Sequence, residues 1–351
     1  MSKSKIEWTG ETWNPLIGCD KISAGCKNCY AITTAWIRQH NPKMQEKFAG
    51  TVEKGANGQL NWTGKLNMSM AALDIPLNNK KPTVYFVNSM SDLFHEAVPF
   101  DFIDKIFCIM AITQHHTYQV LTKRAYRMVE YFKSGAVSRI YSELERIAPA
   151  GQEMAASAMF HLIKYQYLPN VWIGVSAEDQ KTADDRVPKL LDVPAAVRFL
   201  SCEPLLGDIN LSKYLLPLKR EGLHACRGIH WVIAGGESGK DARPMHPDWA
   251  RSLRDQCRAN DVPFFFKQWG EYSPYMLRDI YTEDKPLMFL EADGQFSWWA
   301  GDIDTTINYS TNYTGHGQAF DKVGKKAAGN VLDGRTHEEY PKRRTDAVSG
   351  N

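Results

Sequence analysis

Three of the seven cysteines in this 351-residue chain fall within one glycine-containing segment, Gly18-Cys19-Asp20-Lys21-Ile22-Ser23-Ala24-Gly25-Cys26-Lys27-Asn28-Cys29-Tyr30, at the spacing C-x6-C-x2-C. Thiolates are soft ligands, and three on one short loop can converge on three corners of a cubane iron–sulfur cluster. The fourth iron would then lack a protein ligand and keep a position open for a substrate or cofactor. A structural zinc ion asks for a fourth protein ligand. No Cys or His follows Cys29 at finger-like spacing; the next is His40, followed by Pro42. A zinc knot completed by a distant residue is the competing expectation, and three unrelated buried cysteines the bland one. Cys108, Cys202, Cys226 and Cys257 are scattered, so the clustered three point to metal or redox chemistry ahead of disulfides.

Such a loop needs a frame. Nearly continuous apolar runs recur at Thr83–Asn88, Tyr118–Thr122, Val171–Val175, Val197–Ser201, Trp231–Gly235 and Pro263–Lys267. Runs of this kind suit strands buried on both faces, as in parallel sheets. Between them, Asp101–Phe107 and Pro247–Arg254 carry helical periodicity, and a helix is expected to begin near Tyr30. The alternation predicts an α/β chain built as a partial or complete parallel βα (TIM-like) barrel over residues 1–269. Insertions are expected at 38–80, rich in Asn, Gly and Lys, and at 125–169, which should hold helices including Glu153 to Tyr167. Residues 270–351 read as a C-terminal appendage with aromatic pairs such as Trp298-Trp299.

Composition narrows the classes. Hydrophobic residues make up 43%, charged residues 23%, and the formal net charge is +2. That is ordinary for a globular protein and gives no case for coating a polyanion, though a local basic groove stays open. No run approaches the roughly 18 apolar residues of a membrane helix. The N-terminal segment lacks the apolar core of a secretory signal. A cytoplasmic location without membrane attachment is expected.

The segments Ile6-Glu7-Trp8-Thr9, Thr12-Trp13-Asn14-Pro15 and Gly18 to Ala31 resemble the phage-encoded three-Cys-motif family of uncharacterised radical-SAM-like proteins. Further matches are Ser201 to Gly207, Gly235 to Gly239, Ala242 to Met245, Phe265 to Gly270 and Leu332 to Thr336. The resemblance spans most of the chain. It implies a barrel of the radical S-adenosylmethionine (SAM) type and a 4Fe-4S cluster on Cys19, Cys26 and Cys29. It also implies an external electron donor and cleavage of SAM to a 5′-deoxyadenosyl radical. The usual signature is C-x3-C-x2-C with an aromatic residue before the last cysteine; here the first gap is six, and Asn28 precedes Cys29 while Tyr30 follows it.

Chemistry in a parallel barrel gathers at the C-terminal ends of the strands. Asn88, Ser91 and Asp92 close the first of the runs above, where the resemblance places the SAM amino group; Ser91 or Asp92 could equally cap a helix. Thr122, Lys123 and Arg124 end the next strand, where a cation could pair with the SAM carboxylate or a substrate phosphate, or simply be solvated. Ser176 and Glu178 suit ribose hydroxyls, with a helix cap as the alternative for Ser176. Cys202 could donate a hydrogen atom or be a small core residue, and Glu203 could accept a proton. Gly235, Gly236 and Glu237 offer a flexible backbone and a carboxylate. Lys267, Gln268 and Trp269 could hold a base, or Trp269 could be core. Lys322 to Lys326 and Lys342 to Arg344 are short basic clusters that could meet phosphates or form a solvated tail. The substrate expected is a nucleic-acid base or nucleotide. A zinc-stabilised nucleic-acid-binding module and an iron–sulfur electron-transfer or sensor protein are the alternatives.

Overall fold

The computed structural model describes residues 4, 6–147, 153–215, 228–274, 287–290, 296–299 and 318–341. Its centre is a seven-stranded sheet of β1 (Glu11–Trp13), β2 (Val84–Val87), β3 (Thr117–Thr122), β4 (Val171–Ser176), β5 (Val197–Cys202), β6 (Trp231–Gly235) and β7 (Phe264–Gln268). The strands follow sequence order across the sheet and every neighbouring pair is parallel. Six of them coincide with the apolar runs, because strands covered on both faces carry apolar side chains at successive positions. The first strand has three residues and no apolar run, so its sequence gives no such pattern.

The sheet curls into a half-barrel. Strand alternation sends Tyr85, Val87, Tyr118, Val120, Ile173, Val175, Leu200, Val232 and Phe266 to the convex face, into the main core under the helices. Phe86, Trp172, Phe199, Trp231, Ile233 and Phe265 point to the concave face. Trp8, just before β1, sits among them, with ring centroids 4.7 Å from Phe86, 6.2 Å from Phe199 and 6.2 Å from Trp231. One indole can reach β2, β5 and β6 together only if the sheet bends around it. Gly174 makes room for this floor of rings, since a Cβ there would lie 2.7 Å from the Phe199 ring.

Helices α1 (Tyr30–Gln39), α2 (Phe100–Ile112), α3 (Ala125–Lys133), α4 (Ala136–Ile147), α5 (Glu153–Tyr165), α6 (Gln180–Leu191) and α7 (Pro247–Ala259) complete the layers. The 125–169 insertion is α3 to α5. The 38–80 insertion holds a short hairpin, Val52–Lys54 with Leu60–Trp62, and a strand Asn67–Met68 paired with Leu16–Ile17. It shares a small core with α1 through Ile32, Ala35, Phe48, Val52 and Trp62. Beyond β7, segments 272–274, 318–322, 287–290 and 296–299 make a four-stranded antiparallel sheet. Residues after it return to the barrel. Phe266 N donates to His337 O (2.8 Å), Glu339 N to Phe264 O (3.3 Å) and Trp231 Nε1 to Glu339 O (2.8 Å). This part of the expected appendage is therefore built into the barrel wall. No helix among the described residues is long and apolar enough to cross a membrane.

Candidate metal centre at the barrel mouth

The cysteine loop begins where Gly18 N donates to Met90 O (3.2 Å). Gly18 has φ +105°, and a Cβ on it would fall 2.1 Å from Lys65 O, so only glycine fits. The chain makes a short 3-10 turn at Ala24–Cys26, and Cys29 is the N-cap residue of α1. The loop is tied to the ends of three strands, β2, β4 and β6. Asp20 pairs with His95 at 2.9 Å, Ser23 Oγ donates to Glu178 Oε1 at 2.9 Å, and Arg243 Nη2 donates to Ala24 O at 2.9 Å. Asn28 Nδ2 donates to Glu237 Oε2 (3.0 Å) and Asp241 O (2.6 Å). Tyr30, with its ring exposed, donates its hydroxyl to Ser89 O at 2.9 Å. Gly25 lies so close to Glu178 that a Cβ would sit 2.5 Å from its carboxylate. The loop therefore spans the C-terminal ends of the strands from the β2 side to the β6 side, as a roof.

Burial pushes the Cys19 thiol up to about 12, with Asp92 adding to the rise and Arg124 opposing it. Burial also raises Cys29, and Cys26 beside it acts in the same direction. A thiol in a low-dielectric site stays protonated unless a cation takes the proton's place. Arg124 Nη1 lies 3.6 Å from Cys19 Sγ.

Beneath the roof, the upper concave face carries the polar residues that the sequence singles out. Lys123 Nζ and Arg186 Nη1 meet Glu178 at 2.9 Å and 3.0 Å. Burial alone would raise the Glu178 pKa, but Lys123 and Arg186 outweigh it and hold the carboxyl at about 2. On the next strand, Glu203 Oε2 accepts from Trp8 Nε1 (3.1 Å) and Ser201 Oγ (3.1 Å), while Lys267 Nζ pairs with Oε1 at 3.0 Å. Gly235 leaves room for that pair, since a Cβ there would lie 2.8 Å from Glu203 Oε1. Ser176 pairs in register with Ser201, on the same face. Asn88, at φ +60° after β2, is buried with both side-chain polar atoms lacking a partner among the described residues.

Other expected residues do different work. Asp92 accepts from Thr122 Oγ1 (2.7 Å), Phe94 N (3.0 Å) and Lys123 N (3.0 Å), and pairs with Arg124 at 3.4 Å. Its lone pairs are occupied, so Asp92 and Thr122 brace two strand ends; no helix starts there for Asp92 or Ser91 to cap. Ser91 Oγ donates to Leu16 O at 2.9 Å. Ser176 caps nothing either, because Asp179 forms the capping box of α6 with Thr182. Cys202 is fully buried in the convex-face core, and Cys257 lies near enough to add to the rise of its pKa that burial produces. Side chains alternate along β5, so placing Ser201 and Glu203 inward turns Cys202 out, away from the mouth. Gly236 admits backbone: a Cβ would meet Trp269 O at 1.8 Å. Glu237 clamps Arg243 (2.6 Å) as well as Asn28, and Trp269 is core, its Nε1 donating to Val331 O. Asn28, Ser23, Trp8, Arg186 and Arg243 complete the site; Asn28, Ser23 and Trp8 find partners more than 150 residues away, which spacing along the chain does not disclose, whereas Arg186 and Arg243 meet Glu178 and Glu237 eight and six residues away.

Among the described residues, no group of three or more His, Cys, Asp or Glu side chains is arranged to hold a metal ion. Ligands of one zinc must converge within about 2.3 Å of a single point, whereas the thiolates of a cubane bind different corners. The carboxylates and imidazole that touch the loop region, Asp20, His95, Asp92, Glu178 and Glu237, already have partners. Among the described residues, the three thiols therefore have no unengaged carboxylate or imidazole beside them.

No curated protein and no solved structure matches the chain. A family model described as a protein of unknown function, DUF5131, matches residues 3–341. That match covers nearly the whole length, and the chain belongs to the DUF5131 family.

Proposed function

We propose that this chain is a radical SAM enzyme, with Cys19, Cys26 and Cys29 holding a 4Fe-4S cluster whose fourth iron is left for SAM. One observation carries the proposal. Three thiols roof the C-terminal end of a parallel half-barrel while the neighbouring carboxylates and imidazole are already engaged. Reduced by an external electron donor, such a cluster would supply the one electron that cleaves the S–C5′ bond of SAM, giving methionine and a 5′-deoxyadenosyl radical.

The chain's own residues bind, orient and exclude water. Asn88 offers an unpaired amide to the polar end of SAM. Lys123 can turn to a carboxylate, because Glu178 keeps Arg186 and Ser23 without it. Glu203 and Lys267 form the substrate-side proton-moving pair: Trp8 and Ser201 fix Oε2, and Lys267 shares Oε1. The ring floor keeps water from entering below. A nucleic-acid base or nucleotide is the proposed substrate. Supporting it are the two lysines at the mouth and the exposed Lys322 and Lys326; Lys342 to Arg344 lie outside the described residues.

Anaerobic purification tests the reading. We expect a brown protein with about four iron atoms per chain, and 5′-deoxyadenosine on adding dithionite and SAM. Cys26→Ala should lose nearly all iron, while Cys108→Ala, which alters the core under the helices, should keep it; equal iron in the two variants would refute the ligand assignment. One zinc in a colourless protein would replace the proposal with a zinc-stabilised module. A loaded cluster that yields no 5′-deoxyadenosine would leave an electron-transfer or sensing protein.

A further inference from the structure

Arg124, at the end of β3, is buried and held by two acids. Its Nε donates to Glu96 Oε2 at 2.7 Å, and Nη1 faces Asp92 Oδ2 at 3.4 Å and Cys19 Sγ at 3.6 Å. Nη2 is buried with no hydrogen-bond partner among the described residues. A guanidinium keeps its proton under all ordinary conditions, so a fixed positive charge with a spare donor stands against one thiol of the loop. Neither acid needs Arg124 to be satisfied. Asp92 keeps Thr122 Oγ1, Phe94 N and Lys123 N, and Glu96 is largely exposed to water. Among the described residues, Arg124 is the one N–H donor to Cys19 Sγ, whose other contact is Asp20 O at 3.5 Å.

We propose that Arg124 sets the reduction potential of the cluster held by Cys19, Cys26 and Cys29, through its charge and an N–H···Sγ bond to Cys19. This rests on the cluster assignment made above. Reduction adds one electron from an external donor and breaks no bond, so it makes a buried anionic centre more negative. A cation and a donor at a ligand sulfur stabilise that form and raise the potential. Arg124 acts through Cys19, as a positioning residue.

Dithionite titration of the reconstituted protein, followed by the electron paramagnetic resonance of the reduced cluster, tests this with wild type, Arg124→Gln and Arg124→Lys. The Gln variant should load iron as wild type does and titrate at a more negative midpoint. The Lys variant, which keeps the charge without the planar fork, should fall between them. A purely structural role would lower iron content or Tm and leave the midpoint of the loaded fraction where it was. An unchanged or more positive midpoint in Arg124→Gln at equal iron overturns the inference and spares the cluster. Should Arg124→Gln fail to load, Arg124→Lys decides by the same criterion. Wild type that takes up no iron overturns the cluster assignment and this inference with it.

Discussion

Two lysine–carboxylate pairs stand on neighbouring strand ends of the same rim and serve opposite ends. Glu178 is fully buried, meets two cations and a hydroxyl, and is held at about 2. Its carboxylate locks the cysteine loop to β4 through Ser23 and the bare face of Gly25. Glu203 meets one cation, an indole and a hydroxyl, and both its side chain and that of Lys267 keep some exposure. A fully buried carboxylate between two cations is a fastener; one that is partly exposed and meets a single cation is held less tightly. The number of cations, two against one, and the depth of burial separate the two.

The sharpest way to break this contrast is Glu178→Gln. Removing one member of a buried charge group leaves Lys123 and Arg186 uncompensated, at a cost of about 3–5 kcal/mol, to be read from denaturant unfolding. The same carboxyl predicts a pH dependence. Its folded pKa of about 2 lies below the ordinary carboxyl value of 4.5, so its stabilisation is complete above the unfolded value and is lost as pH falls toward 2. The shift corresponds to about 3 kcal/mol. In Glu178→Gln the acid limb of the unfolding midpoint should flatten; an unchanged limb would assign acid sensitivity to other groups. A smaller effect is expected from Gly25→Ala, whose methyl group must displace a pinned carboxylate. Overpacking of this kind costs about 1–3 kcal/mol and should appear as a lower Tm. Smallest of all should be Glu203→Gln, within about 1 kcal/mol of wild type, because water can reach Lys267. A loss as large as that of Glu178→Gln would erase the distinction between the two carboxylates.

Much of the frame was legible because β2 to β7 are covered on both faces and spell it out in consecutive Val, Ile, Phe and Trp residues. Glu11–Trp13 was hidden, since three residues carry no period and its place at the sheet edge comes from pairing with Val84–Val87. At the mouth, residue types were readable and their partners were not. Lys123, Glu178, Glu203 and Lys267 each stood out at a strand end, yet which lysine meets which acid depends on strand order and curl. Cys202 and Glu203 show the same gap. Alternation says that they point to opposite faces, and only the position of Phe199 against Trp8 says which face is inside.

The segment from His337 to Tyr340 runs beside β7, and the Tyr340 hydroxyl reaches Glu7 O at 3.5 Å, next to the ion pair of Lys325 with Glu7 at 2.9 Å. Together with the buried indole of Trp8, this stitching ties the returning C-terminal segment to the residues just before β1, so the ring cluster of the concave face is braced by segments from both sides of the sheet's sequence.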